Sequence, residues 1–408
     1  MISFKKFIYI TAAASLSAAL MAGCSSESSS ESQSTTAQDQ NEAAETVVEE
    51  GSDETTTSLP EIDLPDYEGE AEFEDGVALI VNGEEISASQ LNVIYTVIYN
   101  RLADSLGSSA SYYGLDLSTG RDGLEDQSCT YSSDGTWRGY ILEQAVSNVE
   151  QMNTLHAYAD ENGITLSDAV KQQIADELAE FEEKAKDAGY SANEYAEYCF
   201  GDGVIEATYE WYLNESNIST AAYNSYFMAQ EFTDEEIAEH YAEMGYEEGE
   251  NDYETVAMRH ILVMAEADEN GEYSDEAIEE AHKKAEEIYE EWKAGEATEE
   301  SFAELANKYS DDSGSNTVGG LYENIYKDGL VSEINDFVFG DRMYGDTTVV
   351  DHSGTYTGSH VIFFVGTGEV YSTYLSLEDL RSSATKEWLN ERLESVVTEY
   401  GDAYTEVG

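Results

Sequence analysis

The chain has 408 residues and a formal net charge of −69, from 18 Lys and Arg against 87 Asp and Glu. So large an excess of acid excludes a basic surface for nucleic-acid phosphates and electrostatic docking onto anionic lipid. Hydrophobic residues make up 41% of the sequence, which is enough for a buried core and excludes a chain that is disordered throughout. The length predicts two or three domains, and three cysteines are too few for a disulfide framework.

Residues 1–23 have the pattern of a bacterial signal peptide. A short basic region precedes a mostly apolar run from Phe7 to Met21. This run is shorter than a membrane-spanning helix normally is. The run ends in Met21-Ala22-Gly23-Cys24, which resembles a lipobox and implies cleavage before Cys24 and lipid attachment to its thiol. We therefore expect a protein anchored at Cys24 on the outer face of the bacterial cytoplasmic membrane. The alternative is an ordinary secretory signal that happens to contain a cysteine.

Residues 24–75 have the composition of a tether. They contain no Lys or Arg, are rich in Ser, Thr and Glu, and hold both prolines of the chain, Pro60 and Pro65. Such a segment cannot bury apolar surface, and its like charges repel one another. We predict a disordered acidic spacer that holds residues 76–408, which contain no proline, away from the membrane.

Residues 76–250 are predicted to be mainly helical after a small hairpin. The hairpin is indicated by residues 77–81 and 84–87 on either side of Asn82-Gly83, a dipeptide that favours a two-residue turn. Residues 104–139 read as an irregular insertion. Helical patterns cover 87–100, 139–161, 167–189, 192–198, 204–230 and 233–244.

Residues 251–369 predict an α+β domain, which begins after a polar joint at 247–252. A strand at 256–264 is followed by helices at 278–292 and 298–309, a Gly/Ser/Asp loop at 310–320 and a strong strand at 360–365. Residues 376–400 within the final segment, 370–408, predict one amphipathic helix. Because a helix after a finished domain must bury its apolar stripe, we expect it to pack on the N-terminal domain.

An ordered set of short motifs in residues 255–368 resembles the parvulin-type peptidyl-prolyl isomerases. The motifs are Arg259-His260-Ile261-Leu262-Val263, Phe302-Ala303-Glu304-Leu305-Ala306, Tyr309-Ser310-Asp311-Asp312-Ser313, Gly319-Gly320, Asp336-Phe337-Val338-Phe339 and Gly358-Ser359-His360-Val361-Ile362. The resemblance implies a four-stranded antiparallel sheet with surrounding helices. The order of the segments is similar to that of PrsA-like extracytoplasmic foldases, in which a helical chaperone-like domain carries the isomerase domain.

The resemblance also implies which residues form the catalytic site. The two histidines of the family match His260 and His360, its acidic or thiol position matches Asp312, and its hydroxyl position matches Thr357. We expect the imidazoles to bond to each other and to Thr357, and Asp312 to supply a negative field. Alternatives remain open, because buried histidines are often satisfied core residues and Asp312 could simply stabilise a turn with Ser313.

The apolar pocket for the proline ring falls on Tyr322, Leu330 and Ile334, with Phe339 beneath. The family more often has Leu, Met and Phe at the first three positions, so this chain departs from the common pattern there. All four residues could also be ordinary core. Cys129 and Cys199 could be buried thiols or a disulfide.

The resemblance implies an enzyme that rotates X–Pro peptide bonds in unfolded or partly folded secreted polypeptides. No covalent bond breaks in this reaction, so we expect neither a metal nor a cofactor, and no nucleic-acid partner; a homodimer remains open. The altered pocket motivates the alternative, a non-catalytic holdase chaperone that binds unfolded clients through the same fold.

Overall fold

The computed structural model describes residues 75–408, except residues 248, 250, 269, 270 and 355. The predicted signal peptide, the lipidation site at Cys24 and the tether lie outside the described residues. The chain divides into two compact units, one ending at Gln230 and completed by Ser383–Gly408, the other comprising Glu231–Ser382. From the sequence we predict these divisions near residues 250 and 370.

The secondary structure follows the predicted order, with additional strands. In chain order the elements are β1 (Val77–Val81), β2 (Glu84–Ser87), α1 (Ala88–Leu106), α2 (Trp137–Asn162), α3 (Asp168–Ala188), α4 (Ala192–Phe200), α5 (Glu206–Met228), α6 (Asp234–Glu243), β3 (Glu254–Met264), α7 (Asp275–Ala294), α8 (Glu299–Tyr309), β4 (Leu321–Ile325), α9 (Ser332–Val338), β5 (Thr347–Ser353), β6 (Thr357–Val370), α10 (Tyr371–Leu393) and β7 (Thr398–Tyr400). Short 3-10 helices occupy much of the irregular insertion between α1 and α2. None of the helices within the described residues is both long and apolar enough to cross a membrane.

The first unit contains a three-stranded sheet in the order β2-β1-β7. The predicted hairpin is confirmed, and Asn82 and Gly83 both have positive φ, as its tight turn requires. The predicted helix at 376–400 is wrong at its end, because α10 stops at Leu393 and Thr398 pairs with Val81. The apolar run past Leu393 therefore continues as strand β7, which forms backbone hydrogen bonds with the edge of β1 that β2 leaves free.

Helices α1–α5 surround a core rich in buried tyrosines, including Tyr95, Tyr209 and Tyr212. The end of α10 packs in a separate cluster with α2 and α5, where the ring of Trp388 stacks on Tyr226 with centroids 3.9 Å apart. Cys129 and Cys199 are both free thiols, so the open question of a disulfide is answered.

The second unit is built on an antiparallel sheet in the order β4-β3-β6-β5. Helices α7 and α8 pack on one face and α9 on the other. The predicted α+β class and four-stranded antiparallel sheet are therefore confirmed. The sequence shows no hydrophobic pattern for β4 or β5, because both are edge strands whose residues are largely exposed or half-buried.

Alternation along the two central strands decides which side chains face which helices. Odd-numbered residues such as Ile261 and Phe363 pack against α7 and α8. Even-numbered residues such as Met258 and Ile362 pack with α9. Because side chains alternate along a strand, His260 and His360 also project from the α9 face.

Gly319 and Gly320 end the loop before β4, and both have a φ of 69°. The carbonyl of Gly320 accepts a hydrogen bond from the His260 amide at 2.8 Å. A Cβ atom at Gly320 would lie 2.1 Å from the His260 carbonyl oxygen. This position therefore needs glycine both for its backbone conformation and for the close approach of the loop to β3.

We predict that Gly320→Ala lowers the free energy of unfolding of the second unit by about 3 kcal/mol or more, because strain and a backbone clash add. Gly345→Ala is the matched control: φ there is 86°, but no atom lies within 4 Å of the added Cβ. The control should lose only about 1–2 kcal/mol. Denaturant unfolding measures both, and equal losses would contradict the proposed clash.

Candidate active site

The register between β3 and β6 brings the two histidines together. His260 is opposite Ile362 and Leu262 is opposite His360, so the histidines occupy diagonal positions on one face. Their Nδ1 atoms are 3.1 Å apart, and the rings are nearly parallel with centroids 5.4 Å apart. Both residues are buried, at 5% and 1% exposure. The pair is thus fixed by backbone pairing before any other contact is considered.

The loop after α8 is bonded along β3, and this places Asp312 next to His260. The amide of Asp311 donates to the Leu262 carbonyl at 2.9 Å, and the Leu262 amide donates to Ser310 Oγ at 3.1 Å. Asp312 Oδ2 then lies 2.8 Å from His260 Nε2. The predicted acidic position and first histidine are therefore in direct contact.

Internal donors hold the Asp312 carboxylate in place. Its Oδ2 atom also accepts from Tyr322 OH at 3.0 Å and from Ser315 Oγ, while Oδ1 accepts from the Gly314 amide at 3.3 Å. Burial raises the pKa of this carboxyl, but the hydrogen bond and charge of His260, with the Ser315 and Tyr322 hydroxyls, outweigh burial and hold the pKa well below its usual range. Asp312 is thus a fixed negative charge at neutral pH.

The Asp312 carboxylate can only accept hydrogen bonds, and this sets the first hydrogen bond of the chain. His260 Nε2 donates to Asp312, and the Nδ1 atoms of the two rings share the next hydrogen bond. His360 Nε2 is hydrogen-bonded to Tyr356 OH, at 2.9 Å. Burial, followed by the nearby His260 and His352, lowers the pKa of His360 to about 3, which keeps that ring neutral.

The hydroxyl that contacts His360 does not belong to the predicted residue, Thr357. Among the described residues, Thr357 forms no hydrogen bond to either imidazole; its side chain is buried and its carbonyl accepts from the Ala265 amide at 2.9 Å. Tyr356, one residue earlier, occupies that role. Tyr356 and His360 are an even number of residues apart, so they share a face of the extended chain, and this spacing could have identified the tyrosine.

A third histidine, not anticipated from the sequence, extends this network towards α9. His352 Nδ1 lies 3.0 Å from Glu333 Oε2, which joins β5 to the first turn of α9. The His352 ring is 4.8 Å from the ring of Tyr356. Glu333 and His352 therefore connect the helix that carries Ile334 with the tyrosine that contacts His360.

The four predicted pocket residues lie in one hydrophobic cluster on the α9 face of the sheet, together with Met258, Ile362 and Phe364. Ile334 is only 3% exposed, whereas Tyr322, Leu330 and Phe339 are half-buried. Tyr322 also meets the His260 ring edge-on, with centroids 5.1 Å apart. The cluster therefore begins directly beside the histidine pair.

This arrangement is suited to binding and electrostatics rather than to covalent catalysis. Its central groups are two imidazoles, a fixed carboxylate and tyrosine hydroxyls, beside half-buried apolar side chains. Within the described part of the chain, no group of three or more His, Cys, Asp or Glu side chains is arranged to hold a metal ion.

A comparison with protein families found one match, which lies within the second unit. Residues 244–365 match the family model described as "PPIC-type PPIASE domain". Comparison with curated proteins gave no match.

Several solved structures are similar to the chain at low identity. PrsA from Bacillus subtilis is 18% identical, with 65% of this chain and 90% of that chain covered and a TM-score of 0.36. The foldase protein PrsA from Streptococcus pneumoniae is 17% identical, covering 62% and 83%, with a TM-score of 0.29. One of two SurA-like chaperones of Campylobacter jejuni is 16% identical, covering 76% and 92%, with a TM-score of 0.20. At these TM-scores the similarities carry no conclusion about function.

The buried neutral state of His360 predicts a specific pH dependence of stability. Its pKa is about 3 in the folded protein and about 6.5 in an unfolded chain, so unfolding takes up a proton between these values. We expect this residue to lower the free energy of unfolding as pH falls from about 6.5 to 3, by up to about 1.4 kcal/mol per pH unit. Denaturant titrations of His360→Gln should show a slope shallower by this amount.

His282→Gln is the matched control for the pH slope. His282 is a surface histidine paired with Asp351, and 42% of its side chain is exposed. Its replacement should leave most of the wild-type slope between pH 6.5 and 3. A His360→Gln slope equal to that of the wild type would contradict a buried neutral His360.

Proposed function

We propose that this protein, whose residues 244–365 form a PPIC-type peptidyl-prolyl isomerase domain, catalyses cis/trans isomerisation of X–Pro bonds in polypeptides that fold outside the cytoplasm. One observation carries the proposal: Asp312, His260, His360 and Tyr356 form a continuous hydrogen-bonded chain beside a partly exposed hydrophobic cluster. A structural core alone does not require a charged carboxylate at the end of such a chain.

The reaction requires rotation about a bond and no bond cleavage. The X–Pro amide resists rotation by about 18–20 kcal/mol, because resonance gives its C–N bond partial double-bond character. A catalyst needs only to bind the twisted amide more tightly than either planar form. Lowering the barrier by about 4 kcal/mol accelerates exchange by roughly a thousandfold.

The hydrophobic cluster supplies the site for the proline ring in this proposal. Tyr322, Leu330 and Phe339 retain accessible surface, and buried Ile334 and Met258 lie in the same cluster. Burying the pyrrolidine ring against these side chains fixes one side of the bond while the preceding residue rotates. It also removes water from the carbonyl, and loss of that hydration weakens the resonance that keeps the amide planar.

Asp312 supplies the electrostatic part of the mechanism. A planar amide carries more negative charge on its oxygen than a twisted amide, because resonance moves electron density from nitrogen to oxygen. A carboxylate beside that oxygen therefore destabilises the planar forms more than the transition state. The donors around Asp312 keep the carboxylate charged and oriented, and the histidines maintain the geometry that positions it.

The proposal includes the location and the partners of the enzyme. The lipobox-like sequence before Cys24 supports lipid anchoring on the outer face of the cytoplasmic membrane, with residues 24–75 as the tether. The clients are unfolded or partly folded secreted polypeptides that contain X–Pro bonds. His260, His360 and Asp312 act in catalysis, and Tyr356 takes the place of Thr357 beside His360. Tyr322, Leu330 and Phe339 contact the client, and buried Ile334 lies beneath them.

A holdase that binds clients without isomerising them is the second candidate. It is favoured by the burial of Ile334, which gives its side chain to the protein's own core instead of to a bound proline ring. In this candidate the domain serves as a binding module and the histidine network only stabilises it.

We predict that the full-length protein accelerates cis/trans exchange in a proline-containing reporter peptide, and that Asp312→Asn lowers kcat/KM about tenfold or more because it removes the fixed charge. Asp275→Asn, on the exposed first turn of α7, should retain the wild-type rate. A set of reporters that differ in the residue before proline tests every X–Pro sequence that the enzyme could prefer. Wild-type protein that accelerates none of them, while correctly folded, would reject the enzymatic proposal.

A client-aggregation assay separates the two candidates. If the protein is a holdase, the double variant His260→Ala, His360→Ala should protect an aggregating client as well as the wild type does, provided that the variant remains folded. If client handling depends on isomerisation, the variant should lose protection together with its rate acceleration. Light scattering measures protection, and circular dichroism confirms the fold.

A further inference from the structure

A groove in the second unit shares no residue with the histidine site. It runs along α6 and the segment that follows it, encloses about 510 Å³ and reaches the start of α10. We call it the α6 groove, and define it by Asp234, Ile237, Ala238, Tyr241, Tyr246 and Asp252. The proposed isomerase mechanism uses none of these residues.

The floor of the α6 groove is apolar and aromatic. Ile237 and Tyr241 are one turn apart, so they project from the same side of α6. No residue of α6 is buried, which leaves this side of the helix accessible. The rings of Tyr241 and Tyr246 stack at 5.0 Å with an angle of 15° between them, and Tyr246 is 37% exposed. An exposed tyrosine face is a binding surface for a cation.

The rim of the groove is strongly acidic. Asp234 and Asp252 are both exposed. Residues 231–258 contain eleven Asp or Glu and no Lys or Arg. The basic side chain in α6 is His240, and it is hydrogen-bonded to Asp379, with 2.8 Å between His240 Nε2 and Asp379 Oδ2. Among the described residues neither Asp234 nor Asp252 forms an ion pair, so the rim presents negative charge that attracts a cationic partner and repels an acidic one.

We propose that the α6 groove binds an extended segment of client polypeptide that contains Lys or Arg, at a second contact outside the isomerase site. The cationic group lies over the Tyr241–Tyr246 pair and between the two carboxylates, while its aliphatic stem packs on Ile237 and Ala238. A second copy of this chain is a poor occupant, because each copy carries a net charge of −69.

This inference rests on the proposed function in one respect: the proposed function is what makes the bound peptide a client of the enzyme. A polypeptide anchored here remains bound while the histidine site samples its X–Pro bonds in turn. Two contacts on one chain raise the effective concentration of the client at the second contact. Binding at the groove requires no proline and no rate acceleration, so the two proposals fail independently.

The test measures fluorescence anisotropy of short proline-free peptides titrated with the full-length protein. Three probes share one length and an alternating pattern: Lys with Leu, Glu with Leu, and Ser with Leu. The Lys probe should bind, and should bind more weakly as salt is added, because salt screens its attraction to the rim. The Glu and Ser probes should bind at least about tenfold more weakly.

Two groove variants and one control locate the binding. Tyr246→Ala, and the double variant Asp234→Asn, Asp252→Asn, should each weaken binding of the Lys probe by about three- to tenfold. The control, Glu279→Gln with Glu286→Gln, removes two exposed charges from α7 and should bind as the wild type does. The isomerase rate of Tyr246→Ala on a short reporter should be unchanged.

Three results would overturn the inference. The first is equal binding of the Lys and Glu probes, which would exclude charge recognition. The second is wild-type affinity in both groove variants, which would place the peptide elsewhere. The third is an equal loss in the α7 control, which would show attraction by total charge and not by this groove.

Discussion

The hydrogen bond between His260 and His360 is the interaction on which the rest of the site depends. Antiparallel pairing of β3 with β6 sets the two rings on diagonal positions, and their Nδ1 atoms then meet at 3.1 Å. A register shift of one residue would turn one ring to the α7 face and separate the pair. The site is therefore built into the centre of the sheet, where the backbone is most constrained, and not into a mobile loop.

The two ends of the network have opposite electrostatic demands, and the structure meets both. Asp312 is kept charged because its oxygens accept four internal hydrogen bonds, whereas His360 is kept neutral by burial and by its neighbours. The Tyr356 hydroxyl is hydrogen-bonded to Nε2 of this neutral ring. A charged carboxylate and a neutral His360 ring thus coexist in the buried site, because donors from His260, Tyr322, Ser315 and the Gly314 amide surround the carboxylate.

The sequence was sufficient for the parts of the molecule that have strong local patterns. Alternation along 256–264 and the apolar β run at 360–365 predicted the central strands, and the ordered motifs indicated His260, His360 and Asp312, which the structure brings together. Edge strands β4 and β5 lacked such a pattern because few of their residues are buried. Ser315 and His352 act through contacts between segments that are distant in sequence, whereas the even spacing between Tyr356 and His360 could have identified the tyrosine. The helix predicted to Tyr400 failed because pairing with β1 overrides local periodicity.

The central claim is that a proline residue is bound and rotated beside the histidine pair. Exchange NMR spectroscopy of a labelled X–Pro peptide with the full-length protein tests it directly, because one sample reports both the exchange between cis and trans signals and the protein resonances that the peptide perturbs. We predict exchange peaks that are absent without protein, with perturbations centred on Tyr322, Leu330 and His260. Perturbation of those residues without exchange, or exchange that leaves them unperturbed, would contradict the account.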